Sequence, residues 1–228
     1  MKLSVVIVTW NNENYIEKAI KSCICSSFTT EYEVLVVYNA SSDKTREMIY
    51  RTIKGHENLF TVIENDENLG LGEARNMGIR HAVGEYIIFL DGDDWYEQDA
   101  ILKIIEVIKN KKPDLLIFNY VKYHPDGYLE QSPTTWLLEN KWRRTPSDRA
   151  LLMKNFGVAW NKAYKKSIIN DMGFSFPNIT YEDIVWNASW ISLTENIYVI
   201  PDNLIYYRQR TGSILRSTGK QHFDTLIQ

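Results

Sequence analysis

The segment Asp91-Gly92-Asp93-Asp94 places three carboxylates within four residues, directly after the apolar run Tyr86–Leu90. Carboxylates this close repel one another and lose solvation, so a fold that keeps them together needs a compensating positive charge. A hard divalent cation supplies that charge, because it takes oxygen ligands and bridges carboxylates to the phosphates of a substrate. In open α/β sheets, ligands bind at the carboxyl ends of the strands. The segment therefore predicts a site for a metal ion and a diphosphate, against the alternative of a solvated turn that caps the next helix.

The elements that must position these acids alternate between apolar runs and helical patterns. Strands are predicted at Leu3–Thr9, at Glu33–Val37, at Leu59–Ile63, at the run that ends at Asp91, and at Asp114–Tyr120. Helices are predicted after the capping residue Asn12, after Ser42 or Asp43, after Gly70, and at Glu97–Lys109. Strand–helix–strand alternation with continuous apolar strands indicates right-handed parallel crossovers. We therefore predict a Rossmann-like α/β sheet for the first half of the chain.

The second half of the chain has a less regular pattern. Prolines and polar residues interrupt it between Tyr123 and Ser147. Further elements are predicted as a helix near Leu151, a helix that opens near Tyr181, and strands around Tyr198 and Ile205. We interpret residues 123–228 as a cap over the carboxyl edge of the sheet formed by residues 1–122, within one domain.

Composition excludes some classes of function. The chain has 228 residues and a net charge of -3, which gives no electrostatic reason to expect a nucleic-acid partner. Cys23 and Cys25 lie two apart on a predicted helix and cannot join distant segments, which favours a reduced, intracellular chain. No apolar run is long enough to cross a bilayer, so we expect any association with a membrane to be peripheral.

Two further motifs carry chemistry on their own residues. Gly70-Leu71-Gly72 resembles part of a dinucleotide fingerprint, but Arg75 stands where the third glycine is required, which excludes an NAD site. Glu182 and Asp183 open a predicted helix, and a carboxylate there could take a proton from a hydroxyl nucleophile. The alternative is a pair of ordinary first-turn acids, which helix N-termini favour.

Taken in order, several motifs resemble the inverting glycosyltransferases of family 2, which have the GT-A fold. The motifs are Ser4–Asn12, Glu33–Asp43, Asn68–Gly78, the acidic strand end, Trp160–Lys162, Tyr181–Asp183 and Tyr207–Arg210. Each is weak alone, whereas their occurrence in this order over nearly the whole chain is specific. The resemblance implies a mostly parallel central sheet with flanking helices, a nucleotide-sugar-binding half at residues 1–122, and an acceptor-side cap at residues 123–228.

By this resemblance, Asp91-Gly92-Asp93 is the D-x-D signature of the family. Asp91 would face the ribose and the metal, Asp93 would ligate Mn²⁺ or Mg²⁺ on the donor diphosphate, and Asp94 would support it. Departure of a nucleoside diphosphate develops negative charge, which a cation held there stabilises.

The resemblance also implies residues that bind the nucleotide. Thr9 and Asn39 would hold the base, with an ordinary turn residue after the strand as the alternative for Asn39. Arg75 would face the nucleotide, with a surface-helix arginine as an equal alternative. Tyr38 departs from the family, which usually has an acid there; Asn39 still suits uracil or thymine, because its amide both donates and accepts. A basic segment would close over the diphosphate, or else is a solvated loop; it contains Arg208, Arg210, Gly212 and Ser213.

On the acceptor side, the resemblance assigns Asp183 as the general base and Glu182 as a residue that positions the acceptor. Trp160 and Lys162 would line the acceptor side, with a core role for the indole as the alternative.

We therefore predict a cytoplasmic glycosyltransferase, at most peripheral at the inner face of the membrane, that acts by single displacement with inversion. Its donor would be a UDP- or dTDP-sugar, and its acceptor a hydroxyl of a saccharide or a lipid-linked saccharide in surface polysaccharide synthesis. The departure at Tyr38 keeps a non-catalytic nucleotide-sugar binder or partner protein as the alternative. A haloacid-dehalogenase-like phosphatase is disfavoured, because Trp95 stands where that family has Thr or Val.

Overall fold

The structure is a computed structural model that describes residues 2–27, 30–133, 139, 141–155 and 157–210. Gly212 and Ser213, which the sequence assigned to the diphosphate loop, lie outside the described residues. Within this part of the chain, no helix is both long enough and apolar enough to cross a bilayer. Cys23 and Cys25 are free thiols.

Ten strands of the described residues form a single mixed sheet. The strands are β1 (Leu3–Thr9), β2 (Tyr32–Asn39), β3 (Phe60–Asn65), β4 (Tyr86–Asp91), β5 (Trp95–Tyr96), β6 (Leu115–Tyr123), β7 (Leu129–Gln131), β8 (Lys141–Arg143), β9 (Lys162–Lys165) and β10 (Ile197–Arg208). The order is β3-β2-β1-β4-β9-β6-β10-β5, with β7 on β6 and β8 on β10. Strands β1 to β4 are mutually parallel, as are β6 and β10, whereas β9 runs antiparallel between β4 and β6.

Seven helices of the described residues cover the two faces of this sheet. They are α1 (Ile16–Ser22), α2 (Thr45–Ile53), α3 (Leu71–His81), α4 (Ala100–Lys111), α5 (Pro146–Asn155), α6 (Lys166–Met172) and α7 (Glu182–Leu193). Alternate residues of a strand point to opposite faces, so β1 contributes Val5 to the core under α1, α2 and α4, and Val6 to the core under α3, α5, α6 and α7. Burial on both faces explains why the parallel strands are continuously apolar.

The structure corrects several predicted elements. The four short strands β5, β7, β8 and β9 were not predicted. The strands expected around Tyr198 and Ile205 are one strand, β10, with register shifts between Val199 and Ile205. Helix α1 begins at Ile16, and the side chain of Asn12 donates to Thr9 Oγ1 and does not cap the helix. Helix α2 begins at Thr45, with Lys44 at its N-cap position, and the predicted capping residue Asp43 accepts the Thr45 N–H through its carboxylate at 2.9 Å.

Candidate active site

The acidic segment follows β4 at the carboxyl edge of the sheet, where it packs against the end of β1. Val8 pairs with Asp91 across the two strands. A Cβ atom on Gly92 would lie 2.7 Å from Thr9 Oγ1 and 2.8 Å from Asn12 Nδ2. The middle residue of the motif is therefore glycine because the backbone passes directly over Thr9. Thr9 is 3% exposed, so in this structure it supports the acidic loop from below.

Asp94 is the most deeply buried of the three acids, at 1% exposure. One of its carboxyl oxygens accepts the backbone N–H of Arg208 at 2.7 Å, and the other has no hydrogen-bond partner among the described residues. Burial, together with repulsion from Asp93 and Asp91, raises the pKa of Asp94 well above its ordinary value. Burial of this oxygen without a partner disfavours the charged form, which is the main cause of the raised pKa.

Asp93 is held by the basic segment that follows β10. Arg210 Nε donates to Asp93 Oδ2 at 2.6 Å, and Arg208 Nε donates to the Asp93 carbonyl at 2.8 Å. Both guanidinium groups also lie near the ring of Tyr15, at 4.8 Å for Arg208 and 5.4 Å for Arg210. Burial and repulsion from Asp91 raise the pKa of Asp93 despite the opposing effect of Arg210. The fold thus brings Arg208 and Arg210 to the acids, as their assignment to a diphosphate site requires.

The acids fit a divalent cation that is shared with a substrate. Among the described residues, no three His, Cys, Asp or Glu side chains converge as a complete metal cage. Mg²⁺ is commonly bound by one or two carboxylates together with substrate phosphates, so a full set of protein ligands is not needed. The carboxylates of Asp91 and Asp93 provide oxygen donors of the right kind at one strand end.

Arg75 on α3 joins the acidic segment at the end of β4 to the first turn of α7. It is 1% exposed, and its two terminal nitrogens donate to Asp91 Oδ1 at 2.8 Å and to Glu182 Oε1 at 2.6 Å. The two carboxylates keep the pKa of Arg75 above its ordinary value although burial opposes this. Arg75 is therefore neither a surface arginine nor free to face a nucleotide in this structure. It is a buried cation that holds β4 and α7 together.

The first turn of α7 carries the two acids that the sequence singled out. Tyr181 precedes the helix in the left-handed conformation, with φ of 63°, and turns the chain so that Glu182 points to Arg75. Glu182 is buried, and burial raises its pKa even beside Arg75. Since its charge is neutralised by Arg75, Glu182 anchors α7 in this structure. A contact of Glu182 with an acceptor stays a prediction.

Asp183 remains partly accessible at the same edge. Burial raises the pKa of Asp183, Arg75 and Lys162 lower it, and Asp91 raises it further, so all three charged groups lie close enough to act on it. The net result is a carboxyl with a raised pKa, and a pKa nearer to the operating pH favours a general base. Its position in the helix is held independently of its side chain, because the Asp183 carbonyl accepts Asn187 Nδ2 at 2.6 Å.

A glycine allows α7 to approach α3 closely enough for the Arg75–Glu182 pair. A Cβ atom on Gly72 would lie 2.8 Å from the Pro177 carbonyl oxygen and 3.2 Å from Glu182 Cγ. We expect Gly72→Ala to lower the free energy of unfolding by about 1–2 kcal/mol, because this overpacking outweighs the helix propensity gained with alanine. Urea denaturation followed by circular dichroism measures it.

Gly157→Ala is the matched control for this substitution. Its Cβ atom would meet only Ile184 Cγ1, at 3.9 Å, which is an ordinary contact. Equal stability of the two variants would show that the approach of α7 does not depend on Gly72.

Lys162 on β9 is buried near Asp183. Its ammonium group donates to the Val158 carbonyl and, at 2.8 Å, to Asn161 Oδ1. Burial lowers the pKa of Lys162 to about 7, and Asp183 opposes the shift. Lys162 therefore holds the 158–161 loop from inside and acts on Asp183 through its charge.

Trp160 belongs to the core. It is 4% exposed, and its ring packs against Tyr120 at 4.8 Å and Tyr207 at 5.0 Å. Its exposed surface is too small for stacking on a sugar, so the structure favours the core alternative.

The side-chain amide of Asn39, at the end of β2, forms hydrogen bonds to the end of β3 and to the loop before α3. Its amide nitrogen donates to Asn68 Oδ1 at 2.6 Å and to the Gly70 carbonyl at 3.4 Å. Its amide oxygen accepts from Asn65 Nδ2 at 3.0 Å and from the Leu69 N–H at 3.1 Å. All four hydrogen-bonding positions are occupied, so here Asn39 shapes the loop before α3 and does not present its amide to a base. The turn residue after a strand, which the sequence offers as the alternative for Asn39, fits these contacts.

Tyr38 departs from the family pattern at an almost buried position. Its hydroxyl donates to the Ser41 carbonyl at 2.9 Å, and its backbone pairs with Thr9 in the register of β1 and β2. Two non-glycine residues with positive φ, Asn11 and Ala40, follow these strands. Asn11 Oδ1 accepts the Ser42 N–H at 2.9 Å, and Ser41 Oγ accepts the Asn11 N–H at 2.9 Å, which ties the two strand ends together.

Comparison with known proteins places the chain in a family. The family model described as glycosyl transferase family 2 matches residues 4–173. The chain belongs to glycosyl transferase family 2. This family 2 chain is 29% identical over 240 residues to glycosyltransferase GlyA of Streptococcus pneumoniae, covering 99% of this chain and 33% of that protein. It is 26% identical to the poly(ribitol-phosphate) β-N-acetylglucosaminyltransferase TarS of Staphylococcus aureus, covering 95% of this chain and 37% of TarS.

Solved structures confirm the fold. TarS residues 1–349 in complex with UDP-GlcNAc match with a TM-score of 0.81 and 24% identity, over 96% of this chain and 62% of that one. The mannosyltransferase PcManGT of Pyrobaculum calidifontis, in complex with GDP-Man and Mn²⁺, matches with a TM-score of 0.65 and 19% identity, over 93% of this chain and 58% of that one. The predicted GT-A fold is confirmed, with a sheet that is mostly parallel and includes antiparallel pairs. The chain spans about a third of GlyA and of TarS.

Proposed function

We propose that this family 2 protein is an inverting, metal-dependent glycosyltransferase that moves a sugar from a UDP- or dTDP-sugar to a hydroxyl of a saccharide or lipid-linked acceptor. The observation that carries the proposal is that Arg75 forms ion pairs with both Asp91 and Glu182. Arg75 joins the strand end with Asp91 to the first turn of α7, which carries Asp183, so the groups proposed as cation ligand and as base lie near each other.

Each acid then has a distinct role. Asp93, with Asp91, would hold Mn²⁺ or Mg²⁺, and a cation bound there stabilises the charge that develops on the departing diphosphate. Asp183 accepts the proton of the acceptor hydroxyl as that oxygen attacks the anomeric carbon of the donor. Attack on the face opposite the leaving group inverts the configuration at this carbon.

The basic segment supports donor binding. When a diphosphate enters, Arg210 can exchange its bond with Asp93 for the phosphate oxygens, because guanidinium binds either group in the same planar geometry. Arg208 lies beside it and remains anchored through its backbone N–H to Asp94.

The relatives favour surface polymers as the acceptor class. The names of several include a poly(ribitol-phosphate) acceptor, and the TarS structure holds UDP-GlcNAc. We therefore propose synthesis of a surface polysaccharide or related polymer at the cytoplasmic face of the membrane, with a uridine nucleotide as the first donor to test.

A binding protein without activity remains the second candidate, because Tyr38 departs from the family at the base site. Titration calorimetry with UDP, dTDP and GDP, each with and without Mn²⁺, tests donor binding. We expect tighter binding of a pyrimidine diphosphate when Mn²⁺ is present. Incubation with UDP-GlcNAc and a panel of polyol phosphate and saccharide acceptors then measures UDP release. Binding without any release of UDP across that panel would favour the binding protein, and failure of every nucleotide to bind would overturn both candidates.

A further inference from the structure

Asn187 is a buried polar residue on α7, one helical turn after Asp183, and it is 2% exposed. Its amide nitrogen donates to the Asp183 carbonyl at 2.6 Å and to the Gly157 carbonyl at 2.8 Å, and its amide oxygen accepts from the Tyr164 hydroxyl at 3.0 Å. Because carbonyls only accept, these contacts also fix which end of the amide is the nitrogen. Asn187 therefore joins the first turn of α7 to β9 and to the loop before β9.

The partner of Asn187 on β9 is a rigid anchor. Tyr164 is fully buried. Its ring packs at centroid distances of 5.7, 5.4 and 5.0 Å against three buried rings, those of Phe89, Trp186 and Trp190. Its strand pairs with β4 on one side and with β6 on the other, and its hydroxyl also lies 3.0 Å from the Ala159 carbonyl in the loop before β9. Asn187 thus ties the first turn of α7 to the middle of the sheet.

Helix formation alone does not call for this side chain. In an α-helix the carbonyl of residue 183 already accepts the backbone N–H of residue 187, and asparagine forms helices less readily than alanine or leucine. A side chain that bonds to a nearby backbone carbonyl competes with the hydrogen bonds of the helix. What Asn187 adds is the connection to Gly157 and Tyr164, which fixes the first turn of α7 against the sheet.

The turn is held at two points that flank the Asp183 side chain. Glu182 binds Arg75 through its carboxylate at 2.6 Å, and the Asp183 carbonyl is held by Asn187. Neither anchor uses the Asp183 carboxylate. Support of this kind suits a general base, because a catalytic group has to be held within about 0.5 Å of its productive position while its own oxygens stay available for the proton.

We propose that Asn187 is a positioning residue for the base, and that its bonds to Gly157 and Tyr164 fix the direction in which Asp183 meets the acceptor hydroxyl. This role rests on the proposed function, in which Asp183 is the base. Loss of the bonds would let the first turn of α7 move without removing a proposed ligand of the donor. The effect should therefore fall on the rate of transfer and spare the binding of the nucleotide.

Asn187→Leu tests the role, because leucine has nearly the same size and shape but neither donates nor accepts a hydrogen bond. The measured quantity is UDP release from UDP-GlcNAc with the most active acceptor of the panel. We expect kcat to fall by about 10- to 100-fold, the scale of a displacement of up to about 1 Å at a catalytic group. Affinity for UDP with Mn²⁺, measured by calorimetry, should stay unchanged.

Ser189→Ala is the matched control. The Ser189 hydroxyl also bonds to the carbonyl four residues earlier on α7, that of Val185 at 3.0 Å, but this bond is exposed to solvent. Its loss should leave kcat equal to that of the wild type.

The same substitution in the Asp183→Asn background separates positioning from a general loss of structure. If Asn187 acts through the base, Asn187→Leu should lower the residual rate of Asp183→Asn by less than about twofold, because residues that act as a unit have non-additive effects. An equal fold-loss in both backgrounds would contradict the positioning role, and so would a normal kcat of Asn187→Leu in the wild-type background.

Tyr164→Phe decides the matter if Asn187→Leu fails to fold, which loss of UDP binding would reveal. It removes only the hydroxyl that orients the amide and keeps the aromatic packing. We expect kcat to fall by about two- to tenfold, the scale of one neutral hydrogen bond, and an unchanged kcat would then overturn the proposal.

Failure of the proposed function gives a different result. If the wild type releases no UDP with any acceptor, or if Asp183→Asn transfers sugar as fast as the wild type, the assignment of the base fails and the role of Asn187 fails with it. A slow Asp183→Asn beside a normal Asn187→Leu overturns the positioning role alone.

Discussion

Replacing Asp183 with asparagine should lower the rate of sugar transfer by about 100- to 10,000-fold, the range for loss of a general base. Asparagine keeps the shape of the side chain but cannot accept the proton, and the helix turn stays in place through Asn187. Affinity for UDP should not change, because the proposed contact of Asp183 is with the acceptor hydroxyl, whereas the proposed ligands of the diphosphate-bound cation are Asp93 and Asp91. Single-turnover measurement of UDP release and calorimetry with UDP separate the two effects.

The pH profile tests the same assignment in the unmodified protein. Transfer requires deprotonated Asp183, so the rate should fall as pH decreases through the pKa of this group. Since burial raises that pKa, the acidic limb should lie above the ordinary aspartate value of about 3.9. Asp171→Asn, on the exposed surface of α6, is the control and should match the wild type. Near-normal transfer by Asp183→Asn would give the role to another group.

Replacing Asp93 with alanine should abolish the effect of Mn²⁺ on nucleotide binding. In the wild type we expect Mn²⁺ to tighten UDP binding, because the cation bridges the carboxylate and the diphosphate. Without Asp93 the affinity for UDP should be the same with and without Mn²⁺. Calorimetry under both conditions measures it, and Mn²⁺ electron paramagnetic resonance gives an independent count of bound metal.

Two comparisons make the result for Asp93 specific. Asp66→Ala changes an exposed acid outside the acidic cleft and should retain the Mn²⁺ effect. An undiminished Mn²⁺ effect in Asp93→Ala would remove Asp93 from the metal site. The substitution also frees Arg210, so circular dichroism must first show that the fold is retained.

The sequence predicts the parallel part of this fold well, because continuous apolar strands and intervening helices are strong local signals. It fails for β9, which has only four residues and runs antiparallel between β4 and β6. The hydrophobic pattern of four residues does not distinguish a strand from a loop, and only the neighbours on both sides make this segment a strand.

Candidate residues were found by type and order, but their partners were not. Arg75 and Glu182 are 107 residues apart along the chain, and no local pattern indicates that they form a pair. For the same reason Asn39 was expected to meet a nucleotide base, whereas the fold surrounds its amide with Asn65, Asn68 and the backbone of the next loop. The position of the acidic segment could be predicted, because its three acids directly follow their strand in the sequence.

The ion pairs of Arg75 restrict which halves of two related proteins can be joined to combine the donor specificity of one with the acceptor specificity of the other. Its charge is neutralised by one carboxylate from each half of the chain, so a chimera that joins the first half of one protein to the second half of another inherits this requirement. A second half without an acid at the position of Glu182 would leave a buried guanidinium half-neutralised, at a substantial cost in stability. A chimera of two relatives should therefore take the residues at positions 75, 91 and 182 from the same parent.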